Sequence, residues 1–243
     1  MEQQENLEID DLIVLGQGVP EEIRDGRTTI CTAGYSPKHG FLRVYPTSWN
    51  MPIRRWHVIK VPLERPKAHN GRIESWKIVG SRDDWDRLGN KVKVMGEYPK
   101  SKQQGLIQGL VSGCVNDIRD SHRSLGIISP KILEHYFEKQ KIPASAQTQL
   151  DGRFRVKVKE EFPLEPRIKY QCSECKVAKG FHDQQVIEWG AYEWLRKCPE
   201  KAEQVWENMH VDDNEYEKYF FVGNMFQYPN SFIVISVFRF KRK

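Results

Sequence analysis

Between residues 12 and 95 the apolar positions recur with a period of two, in short runs broken by turn formers. LIVL (12–15), TTICTAG (28–34), GFLRVYP (40–46), HVIKVPL (57–63), SWKIVG (75–80) and KVKVM (91–95) each predict a strand. In HVIKVPL the alternation puts Val58, Lys60 and Pro62 on one side and Ile59, Val61 and Leu63 on the other. YSPKHG (35–40), dense in turn-forming residues, predicts a hairpin between the second and third runs. Several short strands separated by turn signals predict a small barrel or a strongly bent sheet.

Beyond residue 100 the spacing lengthens. GLIQGLVSGCVNDI (105–118) carries apolar residues at helical intervals, weakened by its glycines. KILEHYFEKQK (131–141) predicts a helix opened by Ser129 and Pro130. IPASAQTQLDG (142–152) reads as a loop. GRFRVKVKEEF (152–162) alternates again, with Phe154, Val156 and Val158 against Arg153, Arg155, Lys157 and Lys159. RIKYQC (167–172) repeats the pattern, so the two segments are expected to pair around FPLEP (162–166). DQQVIEWGAYEWLRK (183–197) predicts a helix with Ile187, Ala191, Trp194, Leu195 and Cys198 on one stripe and Asp183 as its cap. A second helix starts at Pro199 and gathers Ala202, Val205, Trp206 and Met209. KYFFVGNMF (218–226) and SFIVISVFRF (231–240) predict two antiparallel core strands. The expected fold class is α+β. It has a β-rich, barrel-like domain over 1–100, a helical connector over 101–150, and a zinc-binding α+β domain over 151–243. In that last domain a zinc-pinned strand–helix–helix unit is closed by a hairpin.

Composition narrows the setting. The 243 residues suffice for a core without disulfide staples. The acidic, polar start MEQQENLEIDD lacks the basic-then-apolar order of a secretory signal. No apolar run reaches the roughly 20 residues that span a bilayer. A cytoplasmic protein with no membrane partner is therefore expected. The five cysteines, an odd number, suggest a metal or a reactive thiol rather than a disulfide framework in that compartment. The net charge of +5 permits a polyanionic partner without demanding one.

The strongest chemical signal is YQCSECKVAKGFH. A Cys-x2-Cys turn suits two thiolates on one zinc ion, giving Cys172 and Cys175. His182 and Cys198 complete the expected ligand set, with zinc in a structural role. Asp183 or a water competes for the fourth position, and with water there the site would be open. The plain alternative is two thiols on a loop. The nearby carboxylates Asp183, Glu188 and Glu193 are spaced five apart, so they share no tight helical face.

Two basic groups suggest a nucleic-acid partner. Arg153, Arg155, Lys157 and Lys159, with Arg167 and Lys169, would form a ladder suited to a phosphate backbone. The glutamates at 160, 161 and 165 allow an ordinary solvated sheet face instead. In the N-terminal half Arg43 and Tyr45 point the same way along one strand. Trp49, Arg54, Arg55 and Trp56 crowd the following loop. Arginines among aromatics on a barrel rim could hold a nucleotide or a splayed base. Alternatively, the tryptophans plug the barrel and the arginines pair with Glu64 and Glu74. Cys31 is expected to be a small core hydrophobe. The chain has no P-loop, dinucleotide fingerprint or Ser–His–Asp spacing.

T-I-C-T-A-G-Y, F-L-R-V-Y-P and R-I-E-S-W-K, followed by Cys172, Cys175, His182, Glu188–Trp189 and FFVGN (220–224) with Pro229 and Phe232, form a distinctive series. It resembles an uncharacterised family of prokaryotic hypothetical proteins, over most of the chain. The resemblance implies a shared architecture and no particular chemistry. The expected function is a cytoplasmic nucleic-acid-binding protein, an accessory subunit in DNA processing or defence with a protein partner in a larger complex. One alternative is a metal-dependent hydrolase or nuclease with an open Cys/Cys/His site and Glu188 or Asp183 as general base. The other is a protein-binding scaffold subunit.

Overall fold

The structure, a computed structural model, describes residues 6–23, 26–48, 51–66, 72–81, 83–141, 157–175 and 177–242. In chain order its strands and helices are β1 (Asn6–Gln17), β2 (Glu21–Glu22), β3 (Thr28–Ser36), β4 (Gly40–Thr47), β5 (His57–Glu64), β6 (Ser75–Ile78), α1 (Leu88–Lys91), β7 (Lys93–Glu97), α2 (Lys100–Gly109), β8 (Val111–Ser112), α3 (Val115–Asp120), β9 (Leu125–Ile128), β10 (Pro130–Lys139), β11 (Leu164–Cys172), β12 (His182–Gln185), α4 (Trp189–Lys197), α5 (Gln204–Asn208), β13 (Tyr216–Asn224) and β14 (Phe232–Lys241).

The N-terminal strands close a five-strand barrel in the order β1–β3–β4–β6–β5, with β5 returning to β1. All pairings are antiparallel except β4 with β6. Two register breaks let β1 bend and serve both neighbours, one between Ile9 and Leu12 and one between Val14 and Gly16. The alternation of HVIKVPL holds: Ile59, Val61 and Leu63 line the barrel with Leu12, Val14, Leu42, Val44, Trp76 and Ile78. Leu12 to Leu15 are all buried because β1 has protein on both faces. Leu12 and Val14 enter the barrel, while Ile13 and Leu15 enter a second, larger core. A continuous apolar run is what such a strand requires.

That second core is built by the C-terminal half. β14–β13–β9–β8 form a four-stranded sheet and β10–β11–β12 a three-stranded one. α4 and α5 add Ala191, Tyr192, Leu195, Val205, Trp206 and Met209. The closing hairpin appears as expected, β13 pairing with β14 from Tyr216↔Lys241 to Asn224↔Phe232. Gly16 and Gly18 let β1 approach this half closely. A Cβ at either would sit 2.9 Å from a side-chain atom, of Ile235 and Ile187 respectively. Phe41 stacks on Phe221 across the same seam at 5.8 Å.

Four expectations require correction. The stretch 105–118 is not one helix: α2 ends at Gly109, β8 intervenes and α3 begins at Val115. Residues 131–141 form no helix; Pro130–Lys139 is β10. A register break between Ile132 and Glu134 leaves Leu133 extra and exposed, so the inward residues are Ile132, His135 and Phe137. One step of three in a period of two imitates helical spacing. The helix expected from Asp183 begins only at Trp189, because His182–Gln185 pairs with β11 as β12. This strand is polar yet largely buried, satisfied by Tyr170 Oη–H to Gln184 Oε1 at 2.7 Å and Gln185 Nε2–H to Tyr192 Oη at 3.1 Å. Finally, β11 pairs with β10 and β12, and not with the described residues 157–162. Of the expected partner strand, 152–156 lie outside the described residues, and Lys159–Glu161 is a single 3-10 turn.

Gly34 supplies a test of the barrel. It pairs with Val14, and a Cβ there would lie 2.2 Å from the Ile13 carbonyl oxygen. The backbone cannot yield without opening the β1–β3 ladder. Gly34→Ala is expected to cost about 3 kcal/mol, read as a fall in the thermal unfolding midpoint; an unchanged midpoint would contradict the closed ring.

Candidate metal centre

Cys172 ends β11 and His182 begins β12. The antiparallel register sets Tyr170 opposite His182, whose rings stack at 5.3 Å. The turn after β11 is tied to a distant stretch: the Glu174 N–H and the Ser173 hydroxyl both donate to the Gly113 carbonyl, at 3.0 and 3.2 Å. That latch delivers Cys114, the residue capping α3. The sulfurs of Cys114 and Cys172 and a ring nitrogen of His182 lie within 4.8 Å of one another, and all three residues are buried.

The geometry fits a metal. Cys114 Sγ is 3.6 Å from His182 Nε2. A tetrahedral zinc with ordinary Zn–S and Zn–N bonds would separate those two atoms by about 3.5 Å. Backbone donors face both sulfurs. The Asn116 N–H donates to Cys114 Sγ at 3.5 Å, and the Val115 N–H is directed at Cys172. Such N–H···S bonds orient and stabilise thiolate ligands. Burial lowers the His182 pKa, favouring the neutral imidazole that a metal takes. Burial pushes the Cys172 thiol up, the Val115 N–H opposes it, and Cys114 and Cys175 raise it further. Without a cation the Cys172 thiol stays protonated; a divalent ion would reverse that balance.

The structure thus brings together two of the four expected ligands and one that sequence reasoning missed. Cys175 is half-buried against the core and close enough to affect Cys172, but outside the group. Cys198 ends α4 and is not part of it. Cys114 stands 58 residues before Cys172, so no spacing rule connects them; its one sequence signal is its place as a capping residue after Gly113. The candidate bases are engaged elsewhere. Asp183 accepts from Tyr136 and Arg167 at 3.0 to 3.2 Å. Glu188 is held by Arg55 at 3.4 Å and by the Val237 N–H at 2.7 Å, bridging the two halves.

The basic residues are also redistributed. Arg43 is buried, not on a rim. Arg55 reaches inward to Glu188, Ser236 Oγ and the Val237 carbonyl. Lys169 pairs with Glu134 at 2.7 Å, and Arg167 with Glu138, Glu165 and Asp183. Lys157 sits 4.6 Å over the Phe162 ring. Arg153 and Arg155 lie outside the described residues. Arg54 is exposed. The described part of the ladder, at β11, is therefore a charge-paired sheet face, and such exposed pairs contribute little to stability.

Residues 8–105 match a family described as a domain of unknown function (DUF8758), and residues 115–243 match another, a domain of unknown function (DUF8757). The second match covers more than half of the chain. The chain belongs to the DUF8757 family. Cys114 is the last residue of the short stretch between the two matches, and Cys172 and His182 lie within the DUF8757 match. No curated protein matches the chain. Among the described residues no helix is long and apolar enough to cross a membrane.

Two outcomes are expected from this geometry. Brief alkylation of the folded protein should label Cys198 ahead of the buried Cys114 and Cys172, read by peptide mass spectrometry; equal labelling would contradict the enclosed group. Glu188→Ala should destabilise the protein by about 2 kcal/mol, because it frees a buried N–H and an arginine together. A variant of unchanged stability would show that Glu188 is not a strut.

Proposed function

We propose that this chain is a nucleic-acid-binding protein whose C-terminal half is fastened by a structural zinc ion. Cys114, Cys172 and His182 would hold the ion, and Cys175, at the end of the same tight turn, would rotate in as the fourth ligand. One observation carries the structural role: the group is buried, and a further thiol, Cys175, stands in the turn beside it to close the set. Closed Cys/His sets serve structure, whereas catalytic zinc keeps a position open to water. The ion would lock the stretch before α3 onto the β11–β12 turn. The rival reading, an open site using Asp183 or Glu188 as base, gains no support from carboxylates already committed to Arg167 and Arg55.

Nucleic acid as the ligand is supported by the net charge of +5 and by cations left over from internal pairing. Arg54 is exposed, and neither it nor the half-buried Arg239 forms an ion pair among the described residues. Arg239 is near enough to Arg55 that burial and that neighbouring charge together lower its pKa. Trp56, two residues after Arg54, stacks with Tyr98 at 6.4 Å. These residues replace Arg43 and the β11 ladder as the surface proposed for phosphate contact.

The test is fluorescence anisotropy with single- and double-stranded oligonucleotides over a range of salt. Wild type should bind with an affinity falling linearly in log salt, and Arg54→Gln/Arg239→Gln should flatten that slope by about 2. Absence of saturable, salt-sensitive binding would sink the reading and leave the scaffold role.

A further inference from the structure

The sequence series that stood out in the N-terminal half converges on one place. Cys31 lies on β3, Arg43 on β4, and Arg72 and Glu74 on the approach to β6. They meet Ser124, just before β9, and Asn224, which ends β13, so the barrel wall meets the four-stranded sheet here.

Arg43 is 3% exposed; among the described residues its guanidinium hydrogen bonds to oxygen all go to neutral atoms, while Cys31 and the acid Glu74 stand close enough to favour its charge. The neutral acceptors are Ser75 Oγ at 3.5 Å, Ser124 Oγ at 3.4 Å, the Ser124 carbonyl at 3.2 Å and the Asn224 carbonyl at 3.4 Å. All four are long for a charged donor. The acid alongside, Glu74, directs its oxygens to Ser124, at 2.9 Å to the N–H and 2.8 Å to the hydroxyl. A second guanidinium stands close by. Arg72 has a buried Nε with no hydrogen-bond partner. Its pKa is pulled down to about 10, first by burial and then by the charge of Arg43. Asn224 is 9% exposed, and its Oδ1 is buried without a partner while its Nδ2 donates to the Pro229 carbonyl. Native interiors leave few such groups unsatisfied, and a buried cation ordinarily has a counter-charge.

Residues around its edge are partly or fully exposed. Cys31, expected as an inert core residue, is only half-buried and stands beside the Arg43 guanidinium. Glu21 is exposed at its edge, its carboxyl raised by the crowding of protein around it. Phe226, 48% exposed, lies under Arg72 at 5.8 Å, and Tyr228, 61% exposed, follows two residues later.

We propose that this seam between the barrel and the four-stranded sheet binds the terminal phosphate of a nucleotide or of a nucleic-acid end. Arg43 and Arg72 hold the phosphate oxygens, the Asn224 carboxamide oxygen accepts from a ligand hydroxyl or amine, and Phe226 and Tyr228 offer faces to the base. A phosphate monoester suits two guanidiniums better than a carboxylate does, with more charge and three acceptor oxygens. The site is independent of the metal centre and of the Arg54–Arg239 surface.

Calorimetric titration of the full chain with inorganic phosphate, adenosine monophosphate and adenosine tests it. The two phosphate-bearing probes should saturate wild type and adenosine should not. Arg72→Gln should bind adenosine monophosphate at least about tenfold more weakly, and Phe226→Ala should weaken it while sparing inorganic phosphate. Each variant is first checked for an unchanged thermal midpoint, and Arg43→Lys, which keeps the charge but loses the fork, serves if Arg72→Gln fails to fold. Arg54→Gln/Arg239→Gln should titrate like wild type, which separates this site from the proposed nucleic-acid surface. Oligonucleotides with a 5′-phosphate or a 5′-hydroxyl then distinguish the sources: an Arg72-dependent preference for the 5′-phosphate assigns a nucleic-acid end, and none assigns a free nucleotide. Failure of both phosphate probes to saturate wild type up to about 10 mM, or equal binding by Arg72→Gln and Arg43→Lys, would overturn the proposal.

Discussion

A single strand buried on both faces organises this protein. β1 gives Leu12 and Val14 to the barrel and Ile13 and Leu15 to the core shared with the C-terminal half. Neither core can be completed without it. The barrel needs β1 to bridge β3 and β5, and the larger core needs it as a wall against Ile187 and Ile235. Two consequences follow from close approach. Glycines at 16 and 18 leave room for the neighbouring isoleucines, and the polar groups trapped along the seam must find partners there. Glu188, tied to Arg55 and to the Val237 N–H, is one such solution.

Buried polarity therefore marks what the structure is built to do. Most of it is satisfied internally, as in the Gln184–Tyr170 and Gln185–Tyr192 bonds that let a polar strand lie in the interior. Two clusters are left with chemistry unspent. One is a pair of thiols facing an imidazole, with backbone N–H groups already directed at both sulfurs. The other is a buried guanidinium, Arg43, whose hydrogen bonds to oxygen among the described residues all go to neutral atoms, with a second guanidinium, Arg72, beside it. The first has the donor set of a cation site and the second that of an anion site, and they sit in different parts of the fold.

How much of this was legible depended on whether the signal was local. The barrel strands were readable because alternation in HVIKVPL and GFLRVYP directly reports which side faces inward. The closing hairpin was readable for the same reason. β10 was misread because one bulged residue, Leu133, turned a two-residue period into a helical-looking step. β12 was hidden because its side chains are polar, and their burial depends on Tyr170 and Tyr192 elsewhere in the chain. At the metal centre Cys172 and His182 were visible in one short motif. Cys114 was not, because only the latch between Gly113 and the turn at 173–174 brings it there. The charge of β11 was visible too, but its neutralisation by Glu134 and Glu138 belongs to a neighbour read as a helix.

The central claim is that Cys114, Cys172 and His182 are the core of a metal site. X-ray absorption at the zinc edge, on protein whose metal content has been fixed by elemental mass spectrometry, tests it most directly. The account predicts one zinc per chain, with sulfur neighbours at about 2.3 Å and nitrogen at about 2.0 Å, and loss of the metal in Cys114→Ser but not in Cys198→Ser. A chain purified without metal and unable to take up zinc, or a zinc shell of oxygens indifferent to Cys114, would contradict it.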